Sequence, residues 1–138
     1  MGGELIGFGN QQTGLSTYYD RMIYMRDDGH LVFGAYTGTE ATIASTAAFN
    51  DSQWHHVAAS LGSGGMRLYV DGVLHASDAT VTSGEYFTGY WRIGGDRLYG
   101  WPNPPSSFYF AGHLDEVAVY GSQLTTERIQ AHYHGRDR

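Results

Sequence analysis

An all-β fold, two antiparallel sheets packed face to face and closed by one short C-terminal helix, is what this sequence predicts. Three observations carry that expectation. Residues 54–78, WHHVAASLGSGGMRLYVDGVLHASD, alternate in character on either side of glycine reversals, the period of two that a pleated strand requires. Twenty glycines and eleven tyrosines beside only 16% charged residues suit a turn-rich β protein. Helical features gather in one place, residues 125–134. At 138 residues the chain fits a single domain, 1–138, that can bury roughly two thirds of its unfolded surface.

The elements follow in order. Residues 4–9, ELIGFG, open as a strand, and a polar loop runs through 10–17. Residues 18–26 form a strand with Ile23 and Met25 on one face and Met22 and Tyr24 on the other. Asp27-Asp28-Gly29 turns the chain into a return strand at 30–36. A shorter strand at 41–45 leads to the turn Asn50-Asp51-Ser52. In the central block Val57, Ala59 and Leu61 share a face, and after 62–65 so do Met66, Leu68 and Val70. Asp71-Gly72 is the two-residue hairpin signal, because a type I′ turn needs positive φ at both positions. Strands are expected again at 85–93, 108–110 and 113–120. The intervening 96–107, DRLYGWPNPPSS, holds all three prolines and reads as a loop, since proline cannot donate to a ladder. Thr125 caps the terminal helix and Glu127 suits its first turn, but Arg128 stands where a capping box wants Glu or Gln. Gly135 ends it.

Charge and composition exclude several functions. A net charge of -6 with no basic run argues against nucleic acid and against an anionic membrane surface. There is no cysteine, hence no disulfide framework, zinc thiolate site or thiol nucleophile. No apolar run is long enough to cross a membrane as a helix, and no leader is visible.

The run QWHHVAASLGSGGMRLYVDG at 53–72, with WRIGG at 91–95, GHLDEVAVY at 112–120 and Leu124-Thr125, resembles the laminin-G-like domains of the concanavalin A-like lectin/glucanase superfamily. The resemblance spans most of the chain from about Leu31 onward. It implies a jelly-roll sandwich and an extracellular or cell-surface setting. Domains of this kind have several strands before the point where 4–9 begins, so the chain is expected to be truncated at its N-terminus. A sheet without those neighbours presents an unpaired edge, and a homodimer that pairs such edges is expected.

Candidate binding residues lie in the proline loop and near Asp20. Sugar recognition wants a flat aromatic face and a few fixed polar groups. Trp101 and Tyr99, with Asp96 and Asn103, offer both, and Asp20 and Arg21 join them if the two Asp-Arg pairs, Asp20-Arg21 and Asp96-Arg97, meet. Trp101 has a second reading, as a lid folded down over a gap in a sheet. The Asp-Arg pairs likewise read as a salt-bridged scaffold. Asp115 shares its parity with Val117 and Val119, so its carboxylate would lie on a core face and need a partner. The resemblance implies that an aspartate there can help hold a structural calcium ion, and hydrogen bonding to loop backbone is the alternative.

Catalysis finds no support in the residues. Asp115 and Glu116 are adjacent and diverge, whereas a glycosidase needs two carboxyls facing one cleft. Gly-x-Ser-x-Gly is absent, and so is HExxH. His55 and His56 point to opposite faces, and His132 and His134 diverge on a helix, so structural or solvent-exposed histidines are expected. The expected function is therefore a non-catalytic, lectin-like carbohydrate-binding module of an extracellular protein. The other reading is a structural or adhesion module that associates through sheet edges without a sugar site.

Overall fold

The computed structural model describes residues 1–135. Its strands are β1 (Gly3–Gly9), β2 (Tyr19–Met25), β3 (His30–Tyr36), β4 (Glu40–Ala48), β5 (Val57–Gly62), β6 (Gly65–Val70), β7 (Val73–Asp78) and β8 (Tyr90–Ile93), followed by α1 (Thr126–His134). They form a five-stranded sheet in the order β4-β3-β2-β1-β8 and a three-stranded sheet in the order β5-β6-β7, with every strand pair antiparallel. This is the expected two-sheet sandwich with its short terminal helix.

Alternation places the cores. On β2, Ile23 and Met25 face the second sheet and join Leu31, Phe33, Ile43, Met66, Leu68 and Val70 in the inter-sheet core. Met22 and Tyr24 face the other way, into a second core with Val32, Leu98 and Trp101. Around β2, β3 and β4 the five-stranded sheet is thus covered on both faces, by the other sheet on one and by the proline loop on its back. Strand β1 departs from strict alternation: register shifts between Glu4 and Ile6 and between Ile6 and Phe8 put Leu5 and Ile6 both against the inter-sheet core. An extra residue in a strand re-aims its neighbours in this way.

The central hairpins match their sequence signals. Val57 to Gly62 pairs residue for residue with Val70 to Gly65. Asp71 and Gly72 take φ 52 and 77, as a type I′ turn requires. Helix α1 lies on the outer face of the small sheet, where Ile129 is buried and the Tyr69 hydroxyl meets Thr126 Oγ1 at 2.8 Å. The Arg128 amide donates to the Thr125 hydroxyl at 3.2 Å, the cap expected of that residue.

Three expected strands are shortened or absent. Only Tyr90–Ile93 of 85–93 is a strand. Residues 108–110 contribute isolated bridges at Tyr109, and 113–120 pair with nothing. A period of two makes a strand only where a neighbouring edge accepts its hydrogen bonds, and here Glu116, at φ 50, also breaks the extension. The parity assigned to Asp115 goes with it. Val117 and Val119 are 42% and 48% exposed, Asp115 is exposed too, and its Oδ1 accepts from the Glu116 amide at 2.8 Å. The buried charge that called for a partner is a solvated loop carboxylate.

Candidate functional site

The two sheets are unequal, and the site follows from that. Strands β6 and β7 lie against β3 and β4, so the small sheet covers one end of the large one and stops at β5. Beyond β5 the inner face of β1 and β8 has no second layer. Trp91 and Ile93 of β8 are 45% and 57% exposed there. The result is an open groove of about 1620 Å³. Its floor carries Ile6, Ile23 and Phe33, one wall is β5, and the opposite side is residues 113–124.

Aromatic rings cluster at the β8 end of this groove. Phe8 stacks on Phe87 with centroids 4.9 Å apart and tilts against Trp91 at 5.1 Å. The Arg21 guanidinium sits 4.5 Å from the Phe8 centroid and 5.6 Å from that of Phe87. Arg21 is fixed from behind: its Nε lies 3.1 Å from Asp20 Oδ2, its Nη2 donates to the Glu85 carbonyl at 2.8 Å, and its backbone holds φ 47. A non-glycine residue in that conformation persists only where surrounding bonds hold it.

The residues expected to bind sugar are not brought together. Trp101 is 4% exposed, against Met22 and Leu98 on the back of the large sheet. It lies so flush on Gly34 that a Cβ there would meet the ring at 2.6 Å. Its place is that of the lid, and neither face of its indole is open. Asp96 is buried and accepts from the Ser16 amide at 2.8 Å, the Ser16 hydroxyl at 2.5 Å and the Arg97 amide at 2.7 Å, with Arg92 Nη1 3.3 Å away. Asp20 is wholly buried and accepts from the amides of Tyr36 and Glu85, each at 2.6 Å, and of Arg21 at 2.7 Å. Both Asp-Arg pairs are therefore scaffolds: Asp20 ties its own strand to residues 36 and 85, Asp96 ties 92–97 to Ser16, and each arginine braces a carbonyl (Arg97 Nε to Ser16 O, 2.7 Å). Tyr99 is 75% exposed and Asn103 is exposed at φ 48, both in the loop behind the large sheet. Arg21 lines the groove on the opposite face. Among the described residues, no group of three or more His, Cys, Asp or Glu side chains gathers as a cation site around Asp115 or elsewhere.

Two polar clusters escaped the sequence reading. Glu4, turned from the inter-sheet core by the β1 bulge, is 1% exposed with Oε2 unpartnered. Burial, and then the neighbouring Asp96 carboxylate, raise its pKa from 4.5 to about 8 against the lowering effect of Arg92. No alternation argument marks it, because the bulge resets the parity. His55 sits between Asp71 Oδ2 at 2.7 Å and Asp51 Oδ1 at 2.9 Å, edge-on to Phe49. Burial works against its charge, but hydrogen bonds to the two carboxylates outweigh that and raise its pKa. It clamps the turn before β5 to the β6–β7 hairpin, and the spacing of Asp51, His55 and Asp71 around two turns is the signal that could have found it.

The geometry defines a two-sheet β-sandwich module with an open side, and the family comparison agrees. The chain belongs to the concanavalin A-like lectin/glucanases superfamily, whose laminin-G family model matches residues 3–130. Among curated proteins none matches. A solved S-layer domain-containing protein of Clostridium thermocellum ATCC 27405 (residues 221–444) is similar at a TM-score of 0.51 and 23% identity. The match covers 95% of this chain and 63% of that one, a likeness of fold.

Proposed function

We propose that this chain is a non-catalytic recognition module of an extracellular or cell-surface protein, and that it holds carbohydrate at the aromatic end of the groove. The observation that carries this reading is Trp91, half exposed and backed by Phe8, with Phe87 and the braced Arg21 beside it. A rigid indole with one open side suits the C–H face of a pyranose, and Glu85, Ser83 and Thr82 supply polar groups along the same lining. The superfamily supports the setting. The non-catalytic reading rests on the sequence, in which Asp115 and Glu116 are adjacent and no spaced pair of carboxyls of the glycosidase kind occurs. A glycan array tests the sugar reading. Wild type is expected to bind at least one glycan class and Trp91→Ala to lose about tenfold in affinity, the loss of one stacking contact of about 1.4 kcal/mol. Negligible binding by both proteins removes it.

The second reading, association through sheet edges, is favoured by one observation of its own. Among the described residues, strand β5 ends the small sheet with no neighbour on its groove side.

A further inference from the structure

We propose that the groove takes one extended polypeptide segment from a partner protein, added as a strand beside β5. Its alternate side chains are apolar and face the large sheet, and the others are basic. This rests on the edge-association reading and not on the sugar reading.

Strand arithmetic sets the space. Five strands face three, and at about 4.8 Å per strand the uncovered width is about 10 Å, room for an added strand flanked by residues 113–120. The edge is ready: β5 pairs with β6 on one side only, leaving its other row of N–H and C=O groups open. Below that edge the half-buried Ile6 and Phe110 present apolar surface to an incoming strand, backed by Ile23 and Met25 of the core.

The opposite wall is also prepared. Residues 111–122 arch along the groove with both ends pinned to the molecule. The Phe110 amide donates to the Gly94 carbonyl at 3.0 Å. Gln123 Nε2 donates to the Gly65 carbonyl at 2.9 Å and to Ser60 Oγ at 3.2 Å. Between these pins, residues 113–120 make no strand pairing and no backbone–backbone hydrogen bond among the described residues, and Val117 and Val119 stand exposed. A strand lying between β5 and this arch would meet backbone groups on both sides.

Shape and charge choose the occupant. An antiparallel β5–β5 contact between two copies runs into the overhang of β1 and β8, because the two large sheets would claim the same space. A lone extended segment does not. The lining carries Glu85, Asp115 and Glu116, no lysine, and one arginine, Arg21, already held by Asp20. With a chain charge of -6, the positions not facing the floor suit Lys or Arg.

A synthetic peptide of about eight residues alternating valine and lysine is the probe. Titrated into the full chain, it is expected to bind saturably and to slow hydrogen exchange at residues 57–62. The double variant Val117→Lys/Val119→Lys changes two exposed positions to charges that repel the peptide's lysines and is expected to weaken binding about tenfold or more. The same peptide with methylated backbone nitrogens is expected to lose binding. No binding to folded wild type overturns the proposal. Binding unchanged by N-methylation, which charge alone would give, overturns it too. So does a chain that sediments as a dimer with 57–62 already protected, which makes a second copy the occupant. Glycan binding on the array stands or falls separately.

Discussion

Glu4→Gln is expected to remove most of the fall in this domain's stability between about pH 4.5 and 8. The Glu4 carboxyl titrates at about 8 in the folded chain against 4.5 ordinarily, so between those values the native state holds a proton that the unfolded state has released. Stability must then fall as pH rises, from no penalty below 4.5 to the full penalty above 8. The interval corresponds to roughly 4–5 kcal/mol, a large share of what a domain of this size commands. This is opposite to a salt-bridged carboxylate, whose contribution is lost toward acid. Glutamine keeps the shape and cannot ionise, and Oε2 forfeits no bond because it has none. Denaturant midpoints across this range should fall steeply for wild type and much less for the variant, whose remaining fall comes from His55 losing its proton between Asp71 and Asp51. Parallel curves for the two proteins would refute the assignment.

Trp101→Ala is expected to destabilise the domain by about 3–5 kcal/mol, with little change in any ligand affinity measured on the protein that remains folded. The ring fills the second core against Met22 and Leu98 and over Gly34, and no neighbour can close so large a space. Removing it also loosens the turn whose Pro102 carbonyl accepts the Tyr24 hydroxyl at 2.5 Å. Trp101→Phe should recover part of the loss. Equilibrium unfolding checks this, and an alanine variant of wild-type stability that fails to bind glycan would restore the loop as the sugar platform.

Much of the fold was legible because its signals are local. The alternation of Met66, Leu68 and Val70, the Asp71-Gly72 turn and the Thr125 cap each depend on a few neighbouring residues, and each stands as expected. What was not legible depends on partners. Val117 and Val119 alternate like a strand, yet with no adjoining edge to bond they remain an exposed arch. Glu4 reads as an ordinary strand residue until the β1 bulge turns it inward toward Asp96. Trp101 carries the composition of a sugar platform and the position of a core residue, and only packing against Gly34 decides between them. Trp91, by contrast, lay inside a recognised motif, but its exposure follows from how far the small sheet extends, which no local pattern encodes.

The central claim is that the small sheet ends at β5 and leaves a strand-wide groove open. Residue-resolved hydrogen exchange on the free chain tests it most directly. The groove-facing amides of β5, those not bonded to β6, and the amides of 113–120 should exchange rapidly while β2 and β3 in mid-sheet stay protected. Protection of β5 and 113–120 equal to that of β2 would mean the sandwich is already closed, and would contradict it.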